Sequence, residues 1–216
     1  MNIFRFSGDM THLMSIVLLL LKIRAARSCR GISLKTQELY LLVFATRYLD
    51  LFTSYVSLYN SVMKVVFLAS AAAIVHAMLR DPVVRRSYDR AQDTFRVAFL
   101  VFPALLLALL TSARRSDVME TLWTFSIYLE SVAILPQLVL MQRTQNLDNL
   151  TGHYVFLLGS YRGLYMLNWI YRWLVEPGYR AWRAWIAGTL QTALYGDFFY
   201  YYIQCMRNSQ KLTLPN

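Results

Sequence analysis

The sequence predicts an all-α polytopic membrane protein of seven transmembrane helices, and three observations predict it. Hydrophobic residues make up 57% of the 216 positions and charged residues 16%, against roughly 45–50% and about 25% in soluble domains. Surface-to-volume scaling leaves a soluble sphere of this size too little interior for so many apolar side chains. Apolar runs approaching the ~20 residues that a span requires recur along the whole chain. Finally, the formal charge of +10 comes from scarce acids (12) rather than abundant bases (22), and most bases lie between the apolar runs. These features exclude a soluble enzyme domain, a disordered chain and a DNA-binding module.

The first span is expected over residues 6–21, with ends softened by Asp9 and His12. The second covers 39–59, and the third, 62–79, follows after almost no loop. The fourth, 97–110, is short and contains Pro103, which membrane helices tolerate. The fifth covers 122–141, the sixth 154–173 and the seventh 185–206. Spans of this length leave no room for an extramembrane domain.

Lys and Arg between the spans set an orientation. One side carries Lys22, Arg24, Arg27, Arg30 and Lys35, then Arg80, Arg85, Arg86, Arg90 and Arg96, then Arg143, Arg207 and Lys211. The other carries only Arg5, Arg114, Arg115, Arg172, Arg180 and Arg183. The N-terminus is therefore expected in a lumen or outside, and the C-terminus in the cytosol. A cleavable signal peptide is the rival reading of the first span, but its basic cluster follows the apolar run instead of preceding it. Cys29 and Cys205 have no CxxC spacing and fall near cytosolic ends, which argues against a disulfide or a metal. Asn149-Leu150-Thr151 matches the glycosylation pattern, but it falls on the cytosolic side, out of the enzyme's reach.

A weak internal echo bears on the arrangement. Superposing Arg47-Tyr48-Leu49 on Arg162-Gly163-Leu164 gives an offset of 115 residues. Across seven spans that offset matches two three-helix bundles joined by a linking helix, a transporter-type scaffold with its site near the repeat interface.

Charges inside hydrocarbon cost a few kcal/mol each on insertion scales, so they are candidate functional groups. They are Asp9, His12, Arg47, Asp50, Glu130, Arg162 and Asp197, with Arg5, Glu120 and Arg172 at luminal ends. Mutual ion pairing is the rival reading, above all for Arg162 and Asp197. The luminal cations Arg5, Arg47 and Arg172 suit carboxylates, which guanidinium groups grip in bidentate fashion. A ligand there should be anionic with more than one carboxylate, and Glu120 offers a place for one positive group. Tyr48, Trp123, Tyr161, Tyr165 and Trp169 lie at the same level, where an interfacial aromatic belt is the rival explanation. His12 changes charge between pH 5 and 8. It is either a satisfied polar core residue or, beside Asp9, a proton-coupled one.

Longer motifs carry a resemblance. The run Leu122-Trp123-Thr124-Phe125-Ser126-Ile127-Tyr128-Leu129-Glu130, continued to Pro136-Gln137, resembles a signature of the ER lumen protein-retaining receptors, the KDEL receptors. So do Met1-Asn2-Ile3-Phe4-Arg5-Phe6, Ala45-Thr46-Arg47-Tyr48-Leu49-Asp50-Leu51-Phe52, Asp93-Thr94-Phe95-Arg96 and Tyr195-Gly196-Asp197-Phe198-Phe199-Tyr200. The similarity runs the length of the chain. It implies the two-bundle fold shared with SWEET and PQ-loop transporters. It also implies retrieval of escaped ER residents through their C-terminal Lys/His-Asp-Glu-Leu tails, bound in the acidic Golgi and released in the neutral ER. Residence in the ER, the ER–Golgi intermediate and the cis-Golgi follows, with the COPI retrograde coat as a partner. No cofactor, metal or nucleic acid is implied, and protons are the effector.

By the same resemblance, Arg47 and Tyr48 correspond to residues that hold the terminal carboxylate, and Arg5 and Arg172 to those on the acidic side chains. Glu120 and Trp123 correspond to the recognition point for the tail's cation. Tyr161, Tyr165, Asn168 and Trp169 line the same pocket. His12 corresponds to the pH sensor, which acts through a Tyr161–Glu130 hydrogen bond that locks the closed state. Arg162 and Asp197 correspond to relay positions, and Asp50 to both the pocket and the relay. The tail departs from the family pattern: a lysine pair before a serine is reduced to Lys211 and Thr213, which leaves Arg207 and Lys211 for coat recruitment. The loop Glu176-Pro177-Gly178-Tyr179-Arg180 also differs. The alternative function is small-solute transport on the same scaffold, which requires a polar path open to each face in turn. An intramembrane enzyme has no motif to support it.

Overall fold

The computed structural model describes residues 2–112, 117–144 and 148–207, and every regular element among them is helical. Arg114, Arg115, Lys211 and Thr213 lie outside the described residues. In chain order the elements are α1 (Ile3–Ala26), α2 (Leu34–Arg47), a 3-10 helix (Tyr48–Phe52), α3 (Leu58–Arg80) and α4 (Pro82–Arg86). Then come α5 (Ala98–Thr111), α6 (Val118–Val132), α7 (Leu135–Arg143), α8 (Asn149–Val175), α9 (Trp182–Leu194) and α10 (Gly196–Arg207). Three stretches are long and apolar enough to cross a membrane: Ile3–Ala26, Leu58–Arg80 and Val118–Arg143; the apolar helix Ala98–Thr111 is shorter.

Most helix starts are written in the sequence as short polar caps. Asn2, Ser33, Ser57, Asp81, Asp117 and Asp148 each accept a hydrogen bond from a backbone N–H of the turn they open. Ser57 explains a difference from expectation. Its backbone is extended (φ −168°) to cap α3, so a helix cannot run unbroken through residues 39–59. The α-helix ends at Arg47 and tightens into the 3-10 turn, where the Thr53 and Ser54 amides both donate to the Asp50 carbonyl.

The stretch 122–141 also divides, at Ala133-Ile134. Pro136 has no N–H to continue the ladder. The next amide, that of Gln137, donates sideways to Thr36 Oγ1 (2.9 Å), while Gln137 Oε1 accepts from the Ser33 amide (2.8 Å). The Pro-Gln dipeptide thus stitches α7 to the start of α2. The stretch 185–206 breaks at the fully buried Tyr195, between α9 and α10.

The helices group into two compact units, Met1–Gly31 with Met141–Asn216, and Ile32–Leu140. The internal echo anticipates consecutive three-helix bundles, whereas these units join the first helix to the last three. The reason lies in α1, which packs along α8 more extensively than any other helix pair. Gly8 permits that approach: a Cβ there would lie 2.9 Å from the Tyr165 ring. In the other unit, α6 packs against both α2 and α5, and α3 against α2.

Candidate functional site

In the unit Ile32–Leu140, the polar residues gather where α2 ends. Arg47 is the last residue of α2, and its Nε donates to Ser126 Oγ at 3.0 Å. Its guanidinium also pairs with Glu130, whose side chain is only 3% exposed. Ser126 and Glu130 are one turn apart on α6, so a single helix face receives the arginine. The remaining nitrogen, Nη2, is buried and has no hydrogen-bond partner among the described residues.

One turn of 3-10 helix further on, Asp50 Oδ2 accepts from Lys64 Nζ of α3 at 2.7 Å. Opposite, Asp117 caps α6 by accepting from the Met119 (2.9 Å) and Glu120 (3.4 Å) amides. That cap sets Glu120 in the first turn of the helix, where the macrodipole favours an acid. Trp123, one turn later, is 43% exposed. These groups surround a cavity of about 320 Å³ lined by Thr46, Arg47, Leu49, Asp50, Asp117, Met119, Glu120 and Trp123. The lining carries a guanidinium, three carboxylates and one indole. With Arg47 held by Glu130 and Asp50 by Lys64, the cavity can take a carboxylate at one place and a cation at another. Tyr48 stacks flat on Phe44 (5.6 Å, 4°) beside this region.

The other unit assembles its polar residues between α1 and α8. The Tyr165 hydroxyl donates to Asp9. The His12 ring lies parallel to that of Tyr161, 4.0 Å between centroids. Arg162, 6% exposed, places its guanidinium over Tyr161 (5.9 Å) and Trp169 (5.7 Å). Asn168 Oδ1 accepts from Asn2 Nδ2 at 2.8 Å and ties the start of α1 to α8. Arg5 is exposed in the first turn of α1, and Asp197 is exposed in the first turn of α10. Arg207, at the end of α10, is exposed as well.

Arg172 has a different setting. Glu176 takes its Nε (2.9 and 3.0 Å) and Nη2 (2.7 Å), and the Tyr179 ring lies 4.2 Å from its Cζ. The guanidinium holds the Glu176 carboxyl below the usual carboxylate range, while partial burial pushes the Tyr179 hydroxyl upward.

Three polar residues, one lining the cavity and two bonded to residues that line it, were missed by sequence reasoning. Lys64 stands inside the expected third span and belongs with the intramembrane charges; its position alone could have revealed it. Asp117 precedes an apolar helix as a capping acid, which reads as helix chemistry and conceals its place on the cavity. Ser126 carries no signal at all, because only the fold brings it to Arg47.

Comparison with known proteins decides what kind of chain this is. Residues 28–172 match the family described as ER lumen protein retaining receptor. The chain belongs to that family. It is 63% identical to ER lumen protein-retaining receptor B of Arabidopsis thaliana and 62% identical to an ER lumen protein-retaining receptor of Petunia hybrida. ER lumen protein-retaining receptor 2 of Homo sapiens is 53% identical. In each case the alignment covers 100% of both chains. The family is one of receptors, which accords with a protein that is not an enzyme and does not favour the transporter alternative.

Proposed function

We propose that this protein is a Golgi-to-ER retrieval receptor. It binds the C-terminal KDEL/HDEL-type tail of soluble ER proteins at acidic luminal pH and releases it at neutral pH. The reading includes seven spans, a luminal N-terminus, a cytosolic C-terminus and residence in the ER, ER–Golgi intermediate and cis-Golgi. Arg207 and Lys211 serve recruitment of the COPI coat.

One observation carries the reading: a single cavity in the unit Ile32–Leu140 offers both charges that such a tail needs. Arg47, with a buried nitrogen still to be satisfied, takes a carboxylate; Glu120 and the Trp123 face take the cation. Asp50 and Tyr48 belong to the same region. In the other unit, Arg5 and Arg172 serve the acidic side chains, and Tyr161, Tyr165, Asn168 and Trp169 the apolar and polar remainder. His12 is the proton acceptor. It faces Tyr161, with Asp9 on its own helix and Arg162 and Tyr165 on α8, so a charge gained there is felt by groups of both helices. Tyr161 and Glu130 as lock residues, and Arg162, Asp50 and Asp197 as relay residues, complete the proposal.

The test is binding of a peptide ending in Lys-Asp-Glu-Leu to the purified protein at pH ~5.5 and ~7.4, the interval over which His titrates. Tighter binding at the acidic pH, lost when the terminal carboxyl is amidated, is expected. Equal affinity at both pH values, or indifference to amidation, overturns the reading.

A further inference from the structure

The segment after α8 is built so that it closes on Arg172. Glu176 is the C-cap of α8, one helical turn beyond Arg172, and so lies on the same face. Pro177 and Gly178 follow, with Gly178 at φ +79°, and the Tyr179 amide donates to the Glu176 carbonyl at 3.2 Å. Pro then Gly at the two central positions, the glycine left-handed, is the chemistry of a type II turn. The turn reverses the chain and lays the Tyr179 ring over the guanidinium, 4.2 Å from Cζ. Glu176 occupies the edge formed by Nε and Nη2 while Tyr179 covers a face. A guanidinium in water needs neither arrangement.

We infer that Glu176 is an internal surrogate for a ligand carboxylate, an autoinhibitory contact that an acidic tail must displace from Arg172. The inference rests on the receptor reading, in which Arg172 takes an acidic side chain of the tail. The chemistry of displacement is an exchange of one carboxylate for another. Both partners are partly exposed, 38% for the Arg172 side chain and 49% for Glu176, so the contact is weak enough to exchange. It still discriminates: a lone anion gains little by replacing an equivalent one, whereas a tail anchored elsewhere by its terminus and its cation presents a carboxylate at high local concentration. Because the arginine depresses the Glu176 carboxyl, the surrogate stays ionised in acidic and neutral lumen alike. It therefore sets the affinity at both pH values and leaves the pH switch to other groups.

The experiment measures binding of a Lys-Asp-Glu-Leu-ended peptide to the full-length protein and to Glu176→Gln, Glu176→Ala, Arg172→Gln and the Arg172→Gln/Glu176→Gln double variant. Glu176→Gln and Glu176→Ala should each tighten binding about twofold to fivefold at pH ~5.5 and at ~7.4, the range for releasing an exposed ion pair. In the Arg172→Gln background the second substitution should change nothing, since the effect passes through the guanidinium. Unchanged or weaker binding by both Glu176 variants overturns the inference. So does equal tightening without Arg172, which would reflect only the removal of a repelling charge. Failure of the unaltered protein to bind the peptide overturns the receptor reading itself, a result distinct from either.

Discussion

Lys64 Nζ lies 2.7 Å from Asp50 Oδ2, and this pair ties the 3-10 turn to α3 where the α-helix has been interrupted. The Lys64 side chain is only 10% exposed, and Asp50 is 42% exposed. Removing the cation leaves a partly buried carboxylate at the cavity wall. Lys64→Met should lower stability by about 1–3 kcal/mol, below the roughly 3–5 of a fully buried pair because the Asp50 side chain is partly exposed. Thermal unfolding of the purified protein checks this. An unchanged midpoint would mean that the pair holds nothing.

Arg47 is engaged by Ser126 and Glu130 on one face of α6, and its buried Nη2 has no hydrogen-bond partner among the described residues. Arg47→Lys keeps the charge but loses the planar fork. A hydrogen bond to a charged group is worth about 1.5–3 kcal/mol, so peptide affinity should fall roughly tenfold to a hundredfold. Amidating the peptide should cost the variant less than it costs the unaltered protein. Equal losses would remove Arg47 from carboxylate recognition.

His12 stacks on Tyr161 at 4.0 Å. Phe at this position preserves a ring for the stack and cannot take a proton. In His12→Phe the ratio of affinities at pH ~5.5 and ~7.4 should approach one, with the fold retained. A ratio matching that of the unaltered protein would assign the pH response elsewhere.

Glu176 allows a stability prediction with a definite sign. Its folded pKa is depressed by Arg172, so its contribution is present above the ordinary carboxylate value and is lost as pH falls through the folded one. The difference in melting temperature between Glu176→Gln and the unaltered protein should therefore stay constant from pH ~7.4 to ~5.5 and shrink only in stronger acid, below the unperturbed Glu value of ~4.3. A difference that vanishes by pH ~5.5 would contradict the depressed value.

Gly188 faces the Trp169 indole so closely that an added Cβ would lie 2.8 Å from Cη2. Gly188→Ala must push α9 from α8 or turn Trp169 from its buried seat. Overpacking of this kind costs about 1–3 kcal/mol. A lowered unfolding midpoint is expected, and the loss should be relieved by pairing the change with Trp169→Leu, which frees ring volume.

The helical class, the apolar stretches and most helix starts were legible in the sequence, because composition, length and capping are local properties. Ser57 and Pro136 also contained two of the three helix interruptions, although a hydropathy reading passes over them: a cap and a missing N–H act on one residue, not on an average. The candidate residues were legible through their cost, since a charge in an apolar run demands a reason. The choice of partner was not. Arg47 with Ser126 and Glu130, Lys64 with Asp50, Tyr165 with Asp9 and Arg172 with Glu176 and Tyr179 are choices among several charges of suitable sign. The first and third join helices far apart in the chain, and the packing of α2 on α6 and of α1 on α8 brings them within reach. Sequence determined which groups had to be neutralised; tertiary packing decided by what, because ion pairs and hydrogen bonds act over a few ångströms that the order of residues does not specify.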